Sequence, residues 1–317
     1  MSITTVSHVF SGKRRVNART QARVLEVAER LSYSPNAKAK ALATGRSYAL
    51  ALQVSFTGEA LLLNSFFAGL LPALSLAAVD RGYSFVYVPS KREGRVFVAP
   101  LIGERRVDGA VFVDPIVEDP FVDAVRRAGI PFVSIGGRFL DGSSDHWVDN
   151  DHASICEGVR DHLARRGYRR PALLTMDGDI SYIVDYTVGS ARAFSSDQVA
   201  VASRFTPHAA MQAVRDALRS DDPPDAFFCV HDQLALAAAA AVEVEGMRVG
   251  CDVGIVGIGD SLVARQAPTP LSSVNVFPER FGAPAVEMLD GLITDTGSPA
   301  PVLIPSRLVP RASTQGR

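Results

Sequence analysis

The chain has 317 residues, 47% of them apolar and 21% charged, which provides for two or three compact units and excludes a disordered or fibrous protein. Its 33 Lys/Arg and 34 Asp/Glu are unevenly placed: residues 1–47 hold nine Lys/Arg against only Glu26 and Glu29, which leaves 24 against 32 in residues 48–317. No run approaches the length of a membrane span and no apolar leader with a cleavage site opens the chain, so a cytoplasmic protein with a cationic head on an acidic body is expected.

In chain order, Val6, Val9 and Phe10 fall on one face of a first short helix, with Ile3, Thr4, Ser7 and His8 on the other. After a Lys13-Arg14-Arg15 turn, Asn17 can cap a second helix whose apolar positions are Val24, Leu25, Val27, Ala28 and Leu31. Asn36 can cap a third, ending near Thr44 and closed by Gly45. A small cationic helical module of this kind suits a nucleic-acid phosphate backbone.

These residues resemble the LacI/GalR family of bacterial repressors. Thr5-Val6-Ser7-His8-Val9-Phe10 is similar to the family's recognition helix, Val16-Asn17-Ala18-Arg19-Thr20 to the start of the next helix, and Tyr33-Ser34-Pro35-Asn36 with Ala39 and Leu42 to its hinge. The resemblance implies that Ile3, Thr4 and His8 read base edges and that Thr5, Ser7, Asn17, Thr20 and Tyr33 grip phosphates. It places Asn36 and Ala39 in the hinge at the DNA, and Leu42 as an apolar wedge in the minor groove. The family carries about fourteen further residues, including the first helix of the helix-turn-helix, ahead of the position of Met1, so an upstream translation start is expected.

From Tyr48 onward, short apolar runs alternate with amphipathic helices, which describes parallel strands joined by crossover helices. Strands are predicted at 49–54, 84–88, 109–113 and 132–135, with helices at 66–81 and 121–128. A second series follows, with strands at 170–176, 226–230 and 254–258 and helices at 154–166, 209–219 and 233–245. The fold class is α/β, with two doubly wound halves. Cys156, Cys229 and Cys251 have neither zinc nor redox spacing and read as structural thiols.

This stretch resembles the family's periplasmic-binding-protein-like body of two parallel-sheet lobes around a ligand cleft. The matching motifs are Val107-Asp108-Gly109, Val148-Asp149-Asn150-Asp151, His231-Asp232-Gln233-Leu234-Ala235, Gly257-Ile258-Gly259-Asp260, Leu271-Ser272-Ser273-Val274 and residues 308–314. The resemblance implies a headpiece with hinge over 1–47, a first lobe of 48–147 plus 277–306, and a second lobe of 148–276. Ligands of such folds bind outside the C-terminal ends of the strands. The expected cleft residues are therefore Phe56, Thr57, Phe66, Phe67, Arg138, Tyr182, Asp185, Tyr186, His231, Asp232, Gly259 and Asp260, with Asp232 serving as a helix cap.

Several polar grips usual in the family are altered. Asp185-Tyr186 stand where an arginine is usual, Gly259 where a carboxylate is frequent, and Val276 where a polar side chain is frequent. A less polyhydroxylated effector than a typical sugar becomes plausible. The apolar helix at 234–242 suits core and a twofold interface, and the tail lacks the heptads of a tetramer, so a homodimer is expected.

The expected function is a ligand-responsive repressor binding a palindromic operator, with operator DNA and a small sugar or related metabolite as partners and neither cofactor nor metal. The alternative is a cytoplasmic small-molecule-binding protein that has lost DNA binding. An enzyme is not expected, because no GxSxG, P-loop, GxGxxG or metal-spaced cluster is present.

Overall fold

The structure, a computed structural model, describes residues 2–11, 14–31, 33, 41, 44–55, 61, 64–89, 101, 104, 106–137, 146–194, 199–202, 205–297 and 300–316. Two helices open it, α1 (Ile3–Ser11) and α2 (Ala18–Arg30). Each starts on a side-chain cap: Thr5 N–H donates to Ser2 Oγ at 3.1 Å and Arg19 N–H to Asn17 Oδ1 at 2.9 Å. Among the described side chains of this pair only Val24 is buried, while Leu25 and Leu31, expected on the covered face, are exposed. Among the described residues α2 packs chiefly against α1, and a single short partner covers a single stripe.

The body runs β1 (Ala49–Val54), α3 (Ser65–Asp80), β2 (Ser84–Pro89), β3 (Gly109–Val113), α4 (Pro120–Arg127), β4 (Phe132–Ile135), β5 (Trp147–Asn150), α5 (His152–Arg165), β6 (Pro171–Met176) and α6 (Ser181–Phe194). It continues through β7 (Val199–Ala202), α7 (Pro207–Leu218), β8 (Ala226–Cys229), α8 (Asp232–Val244), β9 (Gly254–Ile258), α9 (Leu262–Gln266), β10 (Ser272–Asn275), α10 (Gly282–Thr294), β11 (Val302–Ile304) and β12 (Arg307–Val309). The strands form two six-stranded sheets, ordered β11-β5-β4-β3-β1-β2 and β12-β10-β9-β8-β6-β7. All neighbours are parallel except β10 and β12.

Alternation along the strands of the first sheet sorts its two faces. Leu50, Leu52, Val54, Val111 and Val113 pack with Leu70 and Leu74 of α3 and Leu289 of α10. Ala51, Ala110 and Phe112 meet Phe121, Val122 and Val125 of α4. The strands missing from the sequence pattern, β5, β7 and β10 to β12, are three or four residues long. Runs such as Trp147-Val148-Asp149-Asn150 and Ser272-Ser273-Val274-Asn275 are too short and too mixed in polarity to show a period of two. Helix α8 is covered almost all round by its own chain, including Leu234, Ala235, Ala238 and Val242, so core packing accounts for its apolar character without an interface. Cys156 and Cys229 are buried and Cys251 half-buried, and burial pushes the Cys156 thiol up to about 11.

The chain passes between the sheets three times, at β5 to α5, β10 to α10 and β11 to β12. Asn150 ties these crossings together, because its Nδ2 donates to Val276 O at 3.3 Å and Ile304 O at 2.8 Å. Beside them the loops after β3 and β6 pair antiparallel at Ile116 and Ile180, with Val117 N–H donating to Asp179 O at 2.8 Å and Ser181 N–H to Pro115 O at 3.0 Å. At the entry to β1, Asp108 accepts from Ser47 N–H and Tyr48 N–H, both at 2.7 Å. Arg46 donates to the Tyr83 hydroxyl, which donates in turn to Asp290 Oδ1 at 2.8 Å. Asn150→Ala strands two buried carbonyls and is expected to cost about 2 kcal/mol in guanidinium unfolding, whereas a loss below about 0.5 kcal/mol would show that water replaces the amide.

Candidate functional site

Between the sheets, at the C-terminal ends of their strands, lies a cavity of about 520 Å³, its solvent-open mouth included. The first sheet contributes Asn64, Ser65 and Phe66 at the start of α3, Asp114 after β3, Ile135 and Gly136 at the end of β4, and Asp149 and Asn150 at the end of β5. The second contributes Tyr182 and Tyr186 of α6, Val230 and His231 after β8, and Ile258 and Gly259 at the end of β9. His152, Val276 and Phe281, on or just past the crossings, complete the wall. Asp114 has φ 48° and Gly259 φ 122°, so uncommon backbone geometry gathers at these strand ends. A Cβ on Gly259 would lie 2.9 Å from Ser65 Oγ, so glycine is what lets the two sheets approach there.

One side of the wall is acidic. His152 lies between two carboxylates, with Nδ1 3.1 Å from Asp185 Oδ2 and Nε2 3.6 Å from Asp149 Oδ1. Asp114 stands near both Asp149 and His152, and burial together with the Asp149 charge pushes its carboxyl up to about 8. Asp149, His152 and Asp185 each offer a ligand atom within 4.8 Å of the others, the spacing of a small-cation site, while the contacts themselves are those of a hydrogen-bonded carboxylate–imidazole pair with a second carboxylate beside it.

Aromatic rings line the wall as well. Tyr182 Oη and His231 Nε2 are 2.7 Å apart. Burial pushes His231 down to about 3 and the Tyr182 phenol well above its ordinary value, so the phenol keeps its proton and donates to a neutral imidazole. Tyr186 stands edge-on to His152 at 4.6 Å and Phe66 edge-on to Phe281 at 5.4 Å.

Of the residues expected in the cleft, Phe66, Tyr182, Tyr186, His231 and Gly259 line the cavity. Phe67 turns into the hydrophobic core, 2% exposed, because the next residue on a helix points about 100° away. Asp185 lies behind His152, off the wall. Asp232 does not act as a helix cap: it is the first residue of α8 and accepts from Ser273 Oγ at 2.6 Å and Ser261 N–H at 2.8 Å, pinning α8 to β10. Asp260 turns away to an ion pair with Arg311. Phe56, Thr57 and Arg138 lie outside the described residues. Asp114, Asp149, Asn150 and His152 were missed as site residues. The strand-end rule reaches the first three, since each stands at or just after the end of β3 or β5.

In the head, α1 carries Ile3, Thr4, Thr5, Ser7 and His8, with Thr4 exposed and Thr5 and His8 half-buried. Asn17 spends its Oδ1 on the α2 cap, Thr20 sits in the first turn of α2, and the exposed Tyr33 ring lies 5.8 Å from that of Phe10. Asn36, Ala39 and Leu42 lie outside the described residues. No helix among the described residues is long and apolar enough to cross a membrane.

Comparison with known proteins gives the same two-part picture. Residues 1–36 match the family model described as bacterial regulatory proteins, lacI family, and residues 160–314 match a periplasmic binding protein-like domain. The chain is 30% identical over 320 residues to the HTH-type transcriptional regulator CelR of Thermobifida fusca, covering 98% of this chain and 94% of that protein. It is 27% identical over 306 residues to the HTH-type transcriptional repressor PurR of Aliivibrio salmonicida, covering 93% and 90%. Among solved structures, a CelR–cellobiose complex superposes with a TM-score of 0.77 at 29% identity over 99% of this chain and 96% of that one. The lac repressor dimer bound to operator superposes at 0.82 over 99% and 96%, a likeness of fold at 24% identity. With a helical head capped at Ser2 and Asn17, a two-sheet body and a whole-length relative at this identity, the chain belongs to the LacI family of bacterial regulatory proteins and is a DNA-binding transcriptional regulator.

Proposed function

We propose that this regulator is an effector-controlled repressor that binds a palindromic operator as a homodimer, with its small-molecule ligand in the cavity between the sheets. The observation that carries this is the composition of the cavity wall, which draws on both sheets and on the crossings between them. A ligand that touches both walls stabilises one relative arrangement over another, which is what effector control requires thermodynamically. The entry to β1 is tied to the first sheet through Asp108, so a shift in that sheet reaches the segment that leads back to the head. The head in this reading places Ile3, Thr4 and His8 toward bases and Thr5, Ser7, Asn17, Thr20 and Tyr33 toward phosphates, with Asn36, Ala39 and Leu42 in the hinge. The proposed divisions are 1–47 for the head, 48–147 plus 277–306 for one lobe and 148–276 for the other.

Exposed Leu76 and Val79 on α3, together with Tyr87 on the edge strand β2, supply an apolar face for a second copy. A neutral His231 held by a phenol suits ligand orientation rather than proton transfer, which supports a non-catalytic site. CelR, whose solved complex holds cellobiose, makes cellobiose the first probe.

The test is fluorescence anisotropy of the protein on duplexes selected by it from a random pool, titrated with cellobiose and a panel of neutral and charged metabolites. A ligand that changes operator affinity supports the proposal, and a flat DNA titration favours a binding protein without a role at DNA. His231→Ala is expected to weaken the ligand response about tenfold while leaving ligand-free DNA affinity within about twofold. Leu42→Ala is expected to reduce selected-site affinity more than random-sequence affinity, and equal losses would remove the wedge.

Asp114 also gives the protein a pH signature. Its folded-state pKa of about 8 lies above the ordinary 3.8, so the folded form holds a proton that the unfolded form has released, and stability falls as pH rises from about 4 to about 8. Asp114→Asn, which mimics the protonated carboxyl, is expected to stabilise the protein by on the order of 2–4 kcal/mol at pH 7 and by nothing near pH 4. The His231 contribution, lost as pH falls from about 6.5 toward about 3, is common to both proteins and cancels in the difference. Thermal denaturation of the pair across this range checks the result, and a constant difference would remove Asp114 as its source.

A further inference from the structure

Away from the three crossings the sheets are joined by main chain. Residues 115–117, just after β3, run antiparallel to residues 179–181, just after β6, with Ile116 opposite Ile180. Val117 N–H donates to Asp179 O at 2.8 Å and Ser181 N–H to Pro115 O at 3.0 Å. Both bonds come from residues flanking the facing pair, so Ile116 and Ile180 form a non-hydrogen-bonded pair, the kind whose Cα atoms stand about 4.5 Å apart. Pro115 and Ser181 are buried and Ile180 packs against the main core, so the pairing is partly shielded from water.

Neither segment has slack. Residues 114–119 carry the chain from β3 to α4, turning at Glu118 with φ 57°, and Asp119 caps α4 by accepting from Phe121 N–H at 2.8 Å. Residues 177–180 lead from β6 straight into α6. Each segment therefore moves with its own sheet, and a change in the angle between the sheets either keeps both bonds or breaks them. A single hydrogen bond shifts an equilibrium by about fivefold, which is enough to bias the angle and little enough for a ligand to override. A ligand would act at close range, because Asp114 precedes one segment, Tyr182 follows the other, and both line the cavity.

We propose that residues 115–117 and 179–181 form a clasp whose closing and opening set the angle between the sheets and, through it, the affinity for operator. Its four bonding groups are all backbone, so the clasp closes without an effector to complete it. The angle reaches the segment leading to the head because the entry to β1 is tied to the first sheet through Asp108. The claim on operator affinity rests on the reading of the chain as a repressor, and the clasp itself does not.

The experiment uses the full chain in two opposed forms. Ile116→Cys with Ile180→Cys locks the clasp, since the facing positions lie within the Cα separation that a disulfide spans. Val117→Pro with Ser181→Pro opens it by removing both donors. Both sites suit proline, because Val117 precedes Glu118 in a turn with φ 57° at Glu118, and Ser181 is the first residue of α6. Peptide mass mapping after mild oxidation of the folded cysteine variant is expected to find the 116–180 disulfide in most of the protein. Anisotropy on selected duplexes is expected to show operator affinities of the locked and open forms that differ at least about fivefold, with the locked form returning to the unaltered value on reduction. In the unaltered protein the Val117 and Ser181 amides are expected to exchange hydrogen at least about tenfold more slowly than in a free peptide, a measurement that stands if a variant folds poorly. Thiols that do not pair, amides that exchange at free-peptide rates, or locked and open forms of closer affinity overturn the proposal while leaving the repressor reading intact. An unaltered protein that binds no duplex sinks the repressor reading and, with it, the claim on operator affinity.

Discussion

The side-chain amide of Asn150 is the interaction on which the two-sheet body depends. It stands at the end of β5, where the chain first crosses between the sheets, and its Nδ2 holds the carbonyls of Val276 and Ile304 from the other two crossings. The three crossings are thereby tied at one point, and the same residue forms part of the cavity wall. A ligand bound in the cavity would therefore sit against the point where the sheets are tied. The bridge between Ile116 and Ile180 joins the sheets a second time, through backbone alone. The arrangement thus has a side-chain-tied pivot and a backbone latch, and a change in lobe angle must strain or break one of them.

The buried acids divide into two kinds. Asp232 is satisfied within the fold by Ser273 and Ser261, and Asp260 by Arg311, and neither lines the cavity. Asp114, Asp149, His152 and Asp185 form the other kind, gathered around one imidazole at the cavity. Such a cluster is destabilising in isolation. It stands at the strand ends, where the parallel sheets present their C-terminal edges and ligands of such folds bind.

The path from cavity to DNA runs through the entry to β1. Asp108 fixes the backbone at Ser47 and Tyr48, and Arg46 reaches Tyr83 and through it Asp290 of α10. The segment that leaves the body for the head is thus bonded to the edge of the first sheet and to the helix that follows the second crossing.

Sequence alone determined the elements whose signals are local. Strands β1 to β4 are apolar runs plain enough to be read, α2 carries its cap at Asn17, and the cationic head is a matter of counting. The order of motifs was enough to suggest the family, and five cavity residues followed from strand ends. What tertiary structure decided was direction and company. Phe66 and Phe67 are neighbours, yet one faces the cavity and the other the core, because a helix turns about 100° per residue. Short strands such as β5 and β10 have no period to read and exist only through their partners. The meeting of Asp114, Asp149, His152 and Asp185 could not be seen along the chain, since up to 71 positions separate Asp114 from Asp185 and only the parallel packing of distant strand ends brings them within reach of one imidazole.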